Sequence, residues 1–237
     1  MASHLRVGTA KPQRESLEHC LEVIQEGSIE EKYKILPEIS ILRSAELIGP
    51  LLKILKKGHR QGKEFAALAL GALEQTESLD SLYRAVTDPE NHRGPGNQSL
   101  QTAIIVAMGE IGHDDAIRFL RKAIDYTFKG DVFFKKRKKL ILSSAAYVAQ
   151  QGGLDAVEFI KEYLFCDDPS LRAHALTELS IAYWHRPNHI PDEVLESFFE
   201  LARDRNSEVR TAAVSSLANL ADLGCKKAED FFTTIAS

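Results

Sequence analysis

Three short stretches hold the residues best equipped for chemistry. The first runs Phe128-Lys129-Gly130-Asp131-Val132-Phe133-Phe134-Lys135-Lys136-Arg137-Lys138-Lys139, in which five consecutive cations follow two phenylalanines. Five consecutive positions exceed one helical turn of about 3.6 residues, so they cannot all face a core. An exposed run of this type binds anions: nucleic-acid phosphates, an acidic protein surface or an anionic cofactor. The competing reading is a solvated helix start whose lysine stems cover apolar surface. Cations at a helix N-terminus oppose the helix dipole, which favours a functional reason for them.

The second stretch is Tyr183-Trp184-His185-Arg186-Pro187-Asn188-His189-Ile190-Pro191, with the single tryptophan. Trp184, His185 and Arg186 on a connection have the composition of a recognition hot spot. The plainer reading packs Trp184 as a plug between helices, and it is favoured here. His185 and His189 are four apart, but Pro187 lies between them and prevents a regular helix from presenting both to a metal. The third stretch, Asp88-Pro89-Glu90-Asn91-His92-Arg93-Gly94-Pro95-Gly96-Asn97, is polar and rich in Gly and Pro, so a mobile loop is expected. Its glycines follow no strand, which argues against a phosphate loop. No GxSxG or Cys–His signature organises a nucleophile, and no catalytic residue is assigned.

What positions these stretches is a repeat. Asp168-Pro169-Ser170-Leu171-Arg172-Ala173-His174-Ala175-Leu176 and Asn206-Ser207-Glu208-Val209-Arg210-Thr211-Ala212-Ala213-Val214 share one template. A capping residue is followed three positions on by an aliphatic anchor, then by Arg, with Ala four positions after the anchor. Leu100 leads Ile104, Ala107, Met108 and Ile111 at offsets of four, seven, eight and eleven, and Phe65 leads Ala69, Ala72 and Leu73. Those offsets lie on one face of an α-helix. Leu140 fits through Ser144, Tyr147 and Val148, although Arg137 holds its capping position. The anchors at 65, 100, 140, 171 and 209 are spaced by 35, 40, 31 and 38 residues. Ile29 starts an earlier, degenerate copy. Gly62 stands in the capping position of the Phe65 helix.

A second set of helices is expected between these, over 16–26, 45–57, 78–86, 114–128, 154–165, 191–202 and 226–235. Together they make about thirteen helices, and no segment shows strand-type alternation. The aliphatic-Arg-x-x-Ala pattern resembles the second helix of HEAT repeats, including the HEAT-like forms of the phycobilin-lyase type. The resemblance covers roughly residues 15–237. It implies an all-α solenoid (superhelix) of about six HEAT-like antiparallel helix pairs, with a concave face built from the second helices. It further implies that Arg172 and Arg210 are structural ladder residues, pairing with acids such as Asp167, Asp168 or Asp204.

HEAT-repeat metal hydroxylases use His-Glu dipeptides as di-iron ligands, and this chain has none: His19 precedes Cys, His59 Arg, His113 Asp and His174 Ala. HEAT-like DNA glycosylases set aromatics and a carboxylate around a basic groove, which a lone tryptophan and a net charge of −4 do not suggest. Cys20, Cys166 and Cys225 are odd in number and widely spaced, so neither a disulfide framework nor a zinc site is expected, and a cytoplasmic location is. The start of the chain lacks an apolar signal-peptide core, and no apolar stretch approaches the ~20 residues that span a bilayer. Residues 1–14 read as a disordered lead-in to a single repeat domain over 15–237. The expected function is a non-catalytic protein-binding scaffold without cofactor or metal. Its binding candidates are Lys135, Lys136, Arg137, Lys138, Lys139, Trp184, His185 and Arg186. A nucleic-acid binder using residues 129–139 and an accessory phycobilin-lyase-like protein are the alternatives.

Overall fold

The structure, a computed structural model, describes residues 10–128 and 130–236. Thirteen α-helices and four short 3-10 turns account for the regular structure among them, and there is no strand. The helices are α1 (Ala10–Glu26), α2 (Ile29–Leu42), α3 (Ile48–Lys57), α4 (Arg60–Ala72), α5 (Leu79–Thr87), α6 (Asn97–Glu110), α7 (Asp114–Ile124), α8 (Phe134–Gln150), α9 (Leu154–Lys161), α10 (Pro169–Ala182), α11 (Asp192–Leu201), α12 (Ser207–Asp222) and α13 (Lys226–Ala236). The fold is all-α and built of packed helix pairs. Helix α1 takes in residues 10–14 of the expected lead-in, and residues 1–9 lie outside the described residues.

The helices fall into two compact units, residues 1–107 and 108–237, and the boundary lies inside α6. In the N-terminal unit α1 packs on α2, α3 on α4, α2 on α4, and α3 on both α1 and α5. In the C-terminal unit α7 packs on α8, α9 on α10 and α11 on α12. The second helices α8, α10 and α12 also pack on one another in series, and α13 covers α12. No pair can bury its apolar stripe alone, so stacking supplies the core.

The anchors explain the burial. Phe65, Leu100, Leu171 and Val209 are all buried, as are Ala69, Ile104, Ala175 and Ala213 four residues on. The alanines at three of these four positions let helices approach closely. At Gly109 of α6 an added Cβ would lie 2.8 Å from the Ser144 Cβ and 3.0 Å from its carbonyl oxygen in α8. Caps set the helix starts. The Asn206 side chain accepts from the Glu208 N–H (2.9 Å) and the Val209 N–H (3.4 Å), and Asp168 accepts from Ser170 (2.9 Å). His59, not Gly62, caps α4: its Nδ1 accepts from the Gly62 N–H at 3.2 Å, and Gly62 lies inside the helix.

Two anchors differ from the sequence reading, and for one reason. In α8 the buried stripe is Arg137, Ile141, Ser144, Ala145 and Val148, the template offsets counted from Arg137. Leu140 is only half-buried and Tyr147 is exposed. The anchor therefore sits at 137, and the flanking intervals become 37 and 34 residues in place of 40 and 31. In α2 Ile29 is 55% exposed, and the buried stripe is Lys32, Ile35 and Ile39. At both positions a cation occupies the place of an aliphatic anchor, and an apolar template passes over it.

The 88–97 loop is strapped down rather than free. Asn91 and His92 are buried, and they donate to the Ala85 carbonyl (2.9 Å) and bond the Val86 carbonyl (2.6 Å) respectively. From α4, Arg60 donates to the Asn91 and Arg93 carbonyls and Lys63 to Asn91 Oδ1 (2.9 Å). These bonds satisfy backbone groups that a mobile loop would leave to water.

Candidate functional site

The basic run of α8 does not form one patch. Arg137 is 1% exposed. Its guanidinium donates to the Asp131 carboxylate, itself 2% exposed, and to the Tyr126 carbonyl, and it lies over the rings of Tyr126 (5.9 Å) and Phe134 (5.7 Å). Asp131 Oδ1 also accepts the Phe133 N–H at 3.2 Å. Arg137 thus pins the 126–133 connection to the start of α8 and is closed to a ligand. Lys138 is mostly covered, 3.3 Å from Asp125 and 4.7 Å from the Phe134 ring centroid. Lys135 is 87% exposed with Asp168 at 3.8 Å. Lys136 is exposed and its ammonium stands 5.8 Å from the Phe133 ring. Lys139 is half-buried at the rim of a groove described below, and Lys129 lies outside the described residues.

The tryptophan stretch also divides. Tyr183 is the packed aromatic, with its phenol pushed above the usual range by burial, while Trp184 remains 48% exposed. The favoured plug is therefore the tyrosine. Arg186 donates to the Ala149 carbonyl (2.6 Å) and lies 5.9 Å from the Tyr183 ring, which ties this connection to the end of α8. His185 is exposed. Of the three binding candidates here, Trp184 and His185 are exposed and Arg186 is not, and none lines the groove.

Arg172 and Arg210, the expected ladder cations, both hydrogen-bond to carbonyls of their own turns. Arg172 donates to its own turn at the Cys166 carbonyl (2.8 Å) and the Asp167 carbonyl (3.3 Å), and to Asp204 in the next turn (3.2 Å). Of the three acids considered from the sequence, Asp204 is the partner. Its carboxyl is held below the usual range, first by the Asn206 N–H that it accepts and then by Arg172. Arg210 donates to the Asp204 and Arg205 carbonyls. Lys32, which is 1% exposed, repeats the device in the N-terminal unit, with Gln25 O at 3.5 Å in its own turn and Gln61 Oε1 at 3.2 Å in α4. Burial depresses its ammonium, partly offset by Glu26 and Glu64. No aliphatic-Arg dipeptide marks Lys32, so the sequence template missed it.

A groove of about 460 Å3 crosses the exposed faces of α8, α10 and α12. Its walls are short: Ser170, Ala173, Thr177, Ser207, Thr211 and Ala212, with Lys139 and Glu208 at the rims and His174 between. Beside it lies a cluster with catalytic residue types. Ser143 Oγ donates to Glu178 Oε1 (2.6 Å) and lies 3.1 Å from His174 Nε2, which is also 2.9 Å from the Lys139 carbonyl and 3.2 Å from Glu178. One nitrogen therefore faces every partner. A carbonyl and a carboxylate both require Nε2 to carry the proton, so it cannot also take the serine's proton. Ser143 sits inside α8, where backbone N–H groups serve the helix and none is left to stabilise an oxyanion. The cluster is a polar staple between α8 and α10.

Among the described residues, no group of three or more His, Cys, Asp or Glu side chains is placed to hold a metal ion, and no helix is long and apolar enough to cross a membrane. Burial raises the Cys20 and Cys166 thiols above their usual range, which opposes thiolate chemistry.

No protein-family model and no curated protein matches the chain. Among solved structures, the chain is similar to one in the CpcE–CpcF complex of phycocyanin lyase from Nostoc sp. PCC7120, with 14% identity, 91% of this chain and 81% of that chain covered, and a TM-score of 0.49. It is also similar to human deoxyhypusine hydroxylase in complex with glycerol, with 15% identity, 87% and 84% covered, and a TM-score of 0.38.

Proposed function

We propose that this chain is a non-catalytic scaffold that binds an extended protein segment in the groove across α8, α10 and α12. The observation that carries this reading is the groove's lining. Its short Ala, Ser and Thr side chains leave room for a second backbone, and their hydroxyls suit main-chain hydrogen bonds. The Ser143–His174–Glu178 cluster beside it lacks an oriented base, which favours binding over turnover. The nucleic-acid reading is weakened by the acids set against the α8 run: Asp131 neutralises Arg137, Asp125 lies beside Lys138 and Asp168 beside Lys135. Counter-ion release needs cations free to meet phosphates, and this run offers few.

A photo-crosslinking amino acid placed at Thr177 or Thr211 tests the reading in extracts of the native cell. Discrete, nuclease-resistant protein adducts are expected, and blocking the groove with Ala173→Trp should abolish them. The same probe at Glu158, on α9, provides the background. Nuclease-sensitive adducts, or adducts that survive Ala173→Trp, would count against the scaffold. Fluorescence anisotropy with a labelled oligonucleotide at low salt is expected to show no saturable binding.

A further inference from the structure

The N-terminal unit carries a second surface, on its first helices. Helices α3 and α5 pack side by side, and a groove of about 470 Å3 opens between them. This is within the range of about 300–1,000 Å3 in which ligand sites are found. Leu55 and Ala85 are buried beneath it, and Leu52 is half-buried along it. Lys53, Lys56 and Arg84 line its walls and are exposed.

The charge here differs in kind from the α8 run. From 53 to 63 the sequence KILKKGHRQGK carries Lys53, Lys56, Lys57, Arg60 and Lys63 and no carboxylate. Among the described residues, no carboxylate stands within ion-pair distance of Lys53, Lys56 or Lys57. Arg60 and Lys63 donate to neutral acceptors in the 88–97 loop, so their charge is also uncompensated. Arg84 alone is paired, with Asp80 at 2.8 Å, and Asp88 closes one end of the groove while accepting the Glu90 N–H. The next acid along, Glu64, interacts with Lys32, and burial raises its carboxyl above the usual range. The helix dipole accounts for Lys56 and Lys57 in the last turn of α3. It does not account for Lys53, which faces Lys56 and Lys57 at like-charge spacing.

An apolar floor beside the uncompensated cationic wall of α3 matches an amphipathic, acidic ligand: apolar side chains meet Leu52 and Leu55, and carboxylates meet Lys53 and Lys56. No aromatic side chain lines the groove, so it offers nucleic-acid bases no stacking platform. We propose that the α3–α5 groove of the N-terminal unit docks an acidic amphipathic helix of a protein partner.

The test uses the full chain and fluorescence anisotropy. The probe is a labelled synthetic helix with leucines at i, i+3, i+4 and i+7 and glutamates elsewhere. Competitors are a scrambled peptide of the same composition and an oligothymidylate. The amphipathic probe should bind saturably and resist the scrambled peptide by about tenfold. Lys53→Glu combined with Lys56→Glu should weaken binding by at least about tenfold, as should Leu52→Asp. Lys135→Glu with Lys136→Glu, a charge reversal of equal size in the C-terminal unit, should leave it unchanged. Far-UV circular dichroism confirms that each variant is folded. The proposal is overturned by absence of saturable binding, by equal competition from the scrambled peptide, or by equal losses from the two charge reversals. Tighter binding of the oligothymidylate would instead assign the groove to nucleic acid.

Discussion

Replacing Arg137 with Met separates a buried structural cation from a ligand-binding one. Arg137 and Asp131 are 1% and 2% exposed, so truncating the arginine leaves a carboxylate in the interior without its counter-charge. Breaking one side of such a pair costs about 3–5 kcal/mol. With an m-value of roughly 2 kcal/mol per molar urea, the unfolding midpoint should fall by about 2 M. Trp184, the only tryptophan, belongs to the same C-terminal unit, so its fluorescence during urea titration follows the unit that holds the pair. Adding Asp131→Asn in the Arg137→Met background should restore about 1–3 kcal/mol, because the stranded charge goes and an oxygen remains to accept the Phe133 N–H. A loss below about 1 kcal/mol for Arg137→Met, as expected of an exposed charge, would refute the buried-anchor reading.

Other perturbations report on the ladder, the close helix approach and a cap. Asp204 has a depressed carboxyl in the folded state, so its contribution is complete above the unfolded value of about 3.9 and is lost as pH falls through the lower folded value. Asp204→Asn should therefore flatten the loss of stability below about pH 4, and an acid titration of Trp184 fluorescence identical to that of the parent would contradict this. Gly109→Ala sets about 1 kcal/mol of helix propensity against a backbone clash of about 1–3 kcal/mol with Ser144, so a net loss is expected in urea unfolding. A gain in stability would show that α6 and α8 separate readily. Asn206→Ala should cost about 1 kcal/mol by leaving the Glu208 and Val209 N–H groups uncapped, whereas Asn206→Asp should be nearly neutral; equal losses for the two would exclude capping as the cause.

Cap, anchor and periodicity are local signals, and they were legible. The anchors at Phe65, Leu100, Leu171 and Val209 are buried as their spacing implies, because an aliphatic stripe at helical period has one stable place, against the next helix pair. The second-set helices expected between them are found, with α7 and α9 ending earlier than their sequence ranges. The dipeptide context of Arg172 left three acids as possible partners, and the fold sets Asp204 Oδ1 3.2 Å from it.

What the residues alone could not decide is where a cation goes. Because charge is expensive to bury, Arg137 reads as part of an exposed cationic run, and Lys32 draws no attention in the sequence. They are buried because the fold returns acceptors to them: Gln61 from the next pair, and Asp131 with the Tyr126 carbonyl from the preceding connection. The same arithmetic inverts the ranking of the two basic segments. The dense 135–139 run is the more conspicuous in the sequence, yet Asp125, Asp131 and Asp168 meet it in space. The sparser 53–63 segment keeps its charge because neutral groups meet it instead. Both grooves join helices roughly thirty residues or more apart in sequence, so tertiary packing alone assembles their walls.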